Sequence, residues 1–177
     1  MMLPPRPELA QDVADMTGDV EEMERMIGGY LSFARGEGME QAQPVDLAAM
    51  LEDVAAAARR AGARITLVPP EPITLPLRPD AVRRAVMNLV DNARRHARRI
   101  VLATEPQSRS VHVLVDDDGP GIAPERRESV FRAFETGGGG TGLGLTIARD
   151  IVRAHGGEIV LEESPMGGLR ARIKLPV

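Results

Sequence analysis

The 177-residue sequence has no cysteine and no tryptophan, and aromatic residues make up only 2% of it. Without cysteine there are no disulfides, no thiolate metal sites and no thiol catalysis, and the redox compartment stays open. With so few rings the core must be built from Leu, Val, Ile, Ala and Met. A length of 177 residues is enough for one full domain plus a smaller element, and the 43% hydrophobic content is enough to fill a core. No apolar run approaches the roughly 20 residues of a membrane span, and no secretory leader pattern is visible, so the chain reads as soluble. The charge has no basic excess either: a net value of −4 argues against a general nucleic-acid surface. Histidine is scarce. His96, His112 and His155 stand in no metal spacing, and each reads as structural.

What is present begins with a helix. From Glu8 to Arg35, Leu9, Val13, Met16, Val20, Met23, Ile27, Tyr30 and Ala34 step by four and three alternately. A heptad seam of this kind favours a partner helix, with an ordinary amphipathic helix as the alternative. Gly36 to Pro44 reads as a linker, dividing a front segment (1–37) and a connection (38–45) from a main domain (46–177). In the main domain Asp46 caps a helix to about Arg60, and Pro79 and Asp80 open a second that runs to about Ala97. Strands are expected at Ile65–Val68, Ile73–Leu77, Ile100–Thr104 and Ser110–Asp116. A short helix follows at Pro124–Phe131, then a helix at Leu145–Ala154, and Glu158–Glu162 and Leu169–Leu175 form a closing hairpin. This order predicts an α+β fold, a two-layer sandwich in which a mixed sheet carries its helices on one face.

Three stretches could carry chemistry. Val115 to Ile122 runs an apolar alternation into three carboxylates, and Gly119 and Gly121 then allow a sharp turn and a close approach to the backbone. Taken alone, an acidic strand end before a turn explains it equally well. Asn88 and Asn92 share a helix face with Arg84 and Arg95; amide oxygens suit Mg²⁺ and arginines suit phosphates, although surface asparagines are the plain alternative. Gly137 to Gly144 leads into a helix, whose N-terminal amides form an anion site. It lacks the Lys-Ser/Thr of a phosphate-binding P-loop, and no strand feeds it as in the dinucleotide fingerprint. Arg94, Arg95, Arg98 and Arg99 form a basic cluster that reads as a solvated face.

The order of these pieces resembles a known family. NLVDNARRHA (Asn88 to Ala97), DDDGPGI, Phe131-Arg-Ala-Phe134 and GTGLGL (Gly140 to Leu145) follow one another as in the catalytic ATP-binding domain of sensor histidine kinases, within the GHKL superfamily. The osmosensor-type group is the nearest in flavour. The front helix, ending Tyr30-Leu-Ser-Phe-Ala-Arg35, is similar to the second helix of that family's dimerisation and phosphotransfer hairpin.

The resemblance implies a Bergerat-type ATP-binding fold preceded by one long helix of a dimerisation bundle. By position, Asn92 binds Mg²⁺ with Asn88 in support, and Arg95 and His96 lie along the ribose and phosphates. Asp117 accepts the adenine amino group, with Asp118 helping the turn and Asp116 incidental. Gly119, Gly121 and Ile122 admit the base. Thr141, Gly142, Leu143, Gly144 and Leu145 cradle phosphates, while Phe131 and Phe134 anchor a lid. The implied reaction is transfer of the γ-phosphate of ATP to a histidine. A His-(Asp/Glu)-Leu-Arg-x-Pro stretch to receive it is absent, so no residue here is a phosphoacceptor and the chain alone is not expected to phosphorylate itself.

Homodimerisation through residues 8–35 of a longer parent, a cognate response regulator and a parent in the bacterial inner membrane are implied likewise, this chain being its soluble cytoplasmic part. Two other readings are a nucleotide-binding sensor module that transfers nothing and a GHKL ATPase. Such ATPases carry a glutamate as general base where this chain has Asn88, and without a base to activate water transfer is favoured over hydrolysis. Only Glu135 to Gly139 separates Phe134 from Gly140, a shorter lid than the family usually has.

Overall fold

The computed structural model describes residues 40–132 and 142–177; the expected dimerisation helix, Phe134 and Thr141 lie outside them. Helix α1 (Leu47–Arg60) starts where Asp46, in extended conformation, accepts the Ala49 N–H on its carboxylate at 3.1 Å. That bond satisfies one of the amides a helix leaves open at its start, and Arg59 and Arg60 complement the negative end. Leu47, Met50, Leu51 and Val54 are buried along one stripe, as their spacing predicts.

Helix α2 (Pro79–His96) opens on proline, and its cap comes from far away. Both carboxylate oxygens of Glu40 accept the first helical amides, Asp80 N at 2.7 Å and Ala81 N at 3.1 Å. The N–H of Arg78 donates to Nε2 of His155 at 3.1 Å, while the other ring nitrogen of His155 is 2.7 Å from the Ile151 carbonyl. His155 is thus a structural staple between two helix ends, as expected. Residues read as linker belong to this arrangement. Glu40 caps α2, and Gln43–Asp46 forms strand β1, antiparallel to β3 (Thr74–Leu77). Pro44 and Pro76 face each other in that pair, a position open to proline only where neither N–H is needed by the partner strand.

The main sheet has the order β2-β4-β5-β7-β6: β2 (Ile65–Leu67), β4 (Ile100–Pro106), β5 (Ser110–Asp117), β7 (Leu169–Pro176) and β6 (Glu158–Glu163). Strand β2 runs parallel to β4 and every other neighbour is antiparallel, so the sheet is mixed. Val111, Val113 and Val115 of β5 join Val82, Val86, Leu89 and Val90 of α2 and Ile151 and Val152 of α3 (Gly144–Ala154) in one core. The expected two-layer α+β sandwich is what forms. One local expectation fails: Pro124–Phe131 is two 3₁₀ turns, Pro124–Arg126 and Ser129–Phe131, and not one helix. Eight residues opening on proline nucleate poorly, and i→i+3 bonds close each turn instead. Among the described residues no helix is long and apolar enough to cross a membrane.

On the opposite face of the sheet, alternation puts charges where the front has aliphatics. Arg172 binds Glu162 and Glu105, Lys174 binds Glu158, and Arg170 holds Asp116. His112 sits in this array with Nε2 3.2 Å from the Ser110 hydroxyl and Nδ1 3.2 Å from an Arg172 nitrogen. Arginine has only protons to offer, so Nδ1 must be the acceptor. Burial first, then Arg172 and Lys174, lowers the His112 pKa.

The long-range cap on α2 is testable. Glu40→Ala should cost about 1 kcal/mol of unfolding free energy, the usual worth of an N-cap, read as a lower urea midpoint with unchanged slope.

Candidate functional site

The three sequence boxes converge on α2. At its middle, Asn88 donates from Nδ2 to the Gly144 carbonyl at 3.2 Å, tying the helix to the first residue of α3. A Cβ on Gly144 would lie 3.9 Å from that of Asn88, so the helices cross closely there. At its end, a Cβ on Gly119 would meet the His96 carbonyl at 2.8 Å, so the acidic turn lies directly against the last residue of the helix. Asn88 and His96 are eight residues apart, roughly 12 Å along the helix at 1.5 Å per residue. Asn92 lies between them, half-buried, with no hydrogen bond to another described residue. Arg95 and His96 are exposed at the helix end, and their side chains make no hydrogen bond to another expected site residue among the described residues.

The three acids separate in space. Asp117 ends β5 with its side chain on the helix side, and the residue is buried. Its Oδ1 accepts two amides, Gly119 N at 2.8 Å and Leu169 N at 3.1 Å. Oδ2 has no hydrogen-bond partner among the described residues. Asp118 turns the other way: Oδ1 accepts the N–H groups of Arg98 and Arg99, both at 2.8 Å, and Oδ2 meets Arg99 Nε at 2.9 Å. It therefore holds the α2–β4 connection. Asp116 points to the back of the sheet into a bidentate pair with Arg170, at 2.7 and 2.8 Å.

The glycines are needed for different reasons. Gly121 has φ +69° and Gly142 φ +64°, a region that side chains strain to enter. Gly168 is needed for space, since a Cβ there would stand 2.3 Å from Asp117 Oδ1 and 2.5 Å from Gly119 N. Ile122 packs partly buried on the core, and its carbonyl accepts Arg127 Nε at 3.0 Å. Leu143, Gly144 and Leu145 form the entry to α3, which has no side-chain cap. Phe131 is buried and held from α3. Its carbonyl accepts the Thr146 hydroxyl at 2.8 Å and Arg149 at 3.3 Å, and the Arg149 guanidinium lies 4.6 Å from its ring centre.

Sequence reasoning missed Gly168, Leu169 and Arg170. Gly167-Gly168 read only as a turn, and nothing local says that this turn abuts an acid 52 residues earlier.

A buried acid ending β5, two half-buried asparagines on α2 and a glycine-led start to α3 are the features that this α+β sandwich carries. Residues 77–177 match the family "Histidine kinase-, DNA gyrase B-, and HSP90-like ATPase". The chain belongs to this family. It is 36% identical over 162 residues to the sensor histidine kinase GtrS of Pseudomonas aeruginosa, covering 89% of this chain and 34% of GtrS. It is 38% identical over 137 residues to the sensor histidine kinase CpxA of Escherichia coli K12, covering 72% of this chain and 30% of CpxA. The chain thus spans about a third of the length of these curated relatives. Among solved structures, the ATP binding domain of PrrB from Mycobacterium tuberculosis superposes with a TM-score of 0.69 at 31% identity, covering 77% of this chain and 97% of that one.

Asp118 gives the site an acid limit. Hydrogen bonds and charge from Arg99 hold its pKa at about 2, below the ordinary 3.8. A depressed carboxyl stabilises the fold above its unfolded value, and that contribution fades as pH falls from about 3.8 through about 2. Asp118→Asn should flatten the stability–pH curve in this window, measured by urea unfolding at stepped pH.

Proposed function

We propose that this chain is the ATP·Mg²⁺-binding catalytic domain of a two-component sensor histidine kinase. It would transfer the γ-phosphoryl group of ATP to a histidine on a dimerisation helix that this sequence does not include. The observation that carries the reading is the asymmetric Asp117 carboxylate, with two amides on Oδ1 and Oδ2 without a partner among the described residues. An ionised carboxylate only accepts, so the free oxygen selects a base edge that donates, such as the exocyclic amine of adenine.

The residues present fit the proposed ligand. Gly119 and Gly168 leave no Cβ beside Asp117, and the Asn88 amide donates one N–H to Gly144, with no hydrogen bond to its Oδ1 among the described residues. Asn92 offers a second amide oxygen one turn on. This is a donor set for a hard cation that keeps phosphate oxygens and water as its remaining ligands. Bound there, Mg²⁺ would neutralise charge between the phosphates, and the chain's task is to hold and align. Gly142, Leu143 and Gly144 would supply amides at the start of α3, and Thr141, Arg95 and His96 are assigned to the phosphates and ribose by family position. Family position likewise suggests dimerisation through residues 8–35, a response-regulator partner and a membrane-bound parent.

The acceptor is proposed to come from elsewhere because the sequence has no His-(Asp/Glu)-Leu-Arg-x-Pro stretch; His112 and His155 also have both ring nitrogens engaged within the fold, and His96 is assigned to the nucleotide. Incubating the chain with labelled ATP·Mg²⁺ and its parent's histidine-bearing hairpin should place an acid-labile, base-stable phosphate on the hairpin. An unlabelled hairpin would leave a nucleotide sensor as the better reading. By calorimetry, Asn92→Ala should remove the magnesium dependence of ATP binding; a variant that still needs the metal would take Asn92 out of the site.

A further inference from the structure

We infer that the Arg170–Asp116 pair on the back of the sheet is a positioning device for Asp117, and so a determinant of adenine selectivity in the pocket proposed above. The inference rests on that adenine reading.

Strands β5 and β7 pair in register up to Asp116 opposite Arg170, and both then leave the ladder. Opposite faces of this last rung are locked by side chains. On the back, Arg170 Nε and Nη2 fork onto the two Asp116 oxygens, and these side chains are only 19% and 6% exposed. One residue further along each strand, on the front, the Leu169 N–H donates to Asp117 Oδ1. A guanidinium fork fixes distance and orientation together, which a single charge contact does not. Holding Arg170 against Asp116 therefore holds the adjoining Leu169 amide at Asp117.

The consequence lies in how Asp117 spends its oxygens. With Gly119 N and Leu169 N both on Oδ1, the carboxylate is held from swinging, and Oδ2 is the oxygen left without a partner among the described residues. Gly168 lets β7 come this close, and the ion pair keeps it there. If the fork is lost, Leu169 N–H can drift from Oδ1 and the carboxylate regains rotation. The free oxygen then no longer stands where the base amine would find it.

Neighbouring charges do not replace the fork. Glu162 faces Arg170 in register on β6, but its carboxylate is held by Arg172. Glu105 is also bound to Arg172. Asp116 has no other cation within salt-bridge distance among the described residues.

The test compares ADP with IDP, which carries a ring carbonyl in place of the amine, by calorimetry on the whole 177-residue chain. Arg170→Met should weaken ADP binding about tenfold, the loss of one well-placed hydrogen bond to a charged group, and leave IDP binding within about twofold. Hydrogen exchange at the Leu169 amide should quicken at the same time. Because Arg170→Met strands a buried carboxylate, the paired variant Asp116→Leu/Arg170→Met keeps the test open: it should fold and show the same reduced ADP preference. If the paired variant regains full preference, packing and not the fork does the positioning, and the inference fails. Asp117→Asn separates the two layers. Loss of preference there but retention in Arg170→Met overturns the positioning role alone, whereas retention in Asp117→Asn overturns the adenine reading and this inference with it.

Discussion

The structure depends on one side chain standing in for a strand. At the end of β5, where the next rung of the ladder would join two backbones, the Leu169 N–H donates instead to the carboxylate of Asp117. A buried N–H left alone there would be costly, and so would a buried carboxylate without donors. Each solves the other's problem. The solution has a geometric condition, because the turn before β7 must lie almost on top of Asp117, and only glycine at 168 permits that. The meeting of β5, β7 and the Gly119–Gly121 turn fixes the end of the sheet where α2 also ends.

Three consecutive acids thereby acquire three unrelated tasks. The two-residue period of a strand sends Asp116 to the back and Asp117 to the front. Asp118 has already left the strand, so its carboxylate is free to gather the amides of Arg98 and Arg99. A run of like charges in sequence would repel if it shared a surface. Here each acid has its own donors: Arg170 for one, two backbone amides for the next, and two amides with a guanidinium for the third. The basic cluster that reads as a solvated face is partly this third partner, since Arg99 closes on Asp118 and Arg94 on Asp91.

What was legible in the sequence is whatever is written locally. The apolar spacing of Leu47, Met50, Leu51 and Val54, the Asp46 cap and the Pro79 start need no tertiary information, and they are where the pattern puts them. Strand β1 was not legible. Gln-Pro-Val-Asp has no alternation and a proline, and it becomes a strand only because Thr74–Leu77 is there to pair with it. The Glu40 cap acts on a helix forty residues away, and Arg170 reaches an acid 54 residues earlier. Such contacts leave no periodic trace. The glycines show the same division: Gly121 takes a positive φ that a turn signal anticipates, whereas Gly168 is required by what lies beside it in space.

Asn88 shows how a site residue can be constrained from two sides. Its Nδ2 proton is the tie between α2 and the Gly144 carbonyl. An ionised carboxylate in its place has no proton to give and would set negative charge against that carbonyl oxygen. The amide therefore belongs to the packing of the two helices as well as to the proposed metal. In this chain a carboxylate at position 88 would give up the Gly144 hydrogen bond and face that carbonyl oxygen with negative charge, so a base there would have to come with a changed approach of the α3 start to α2.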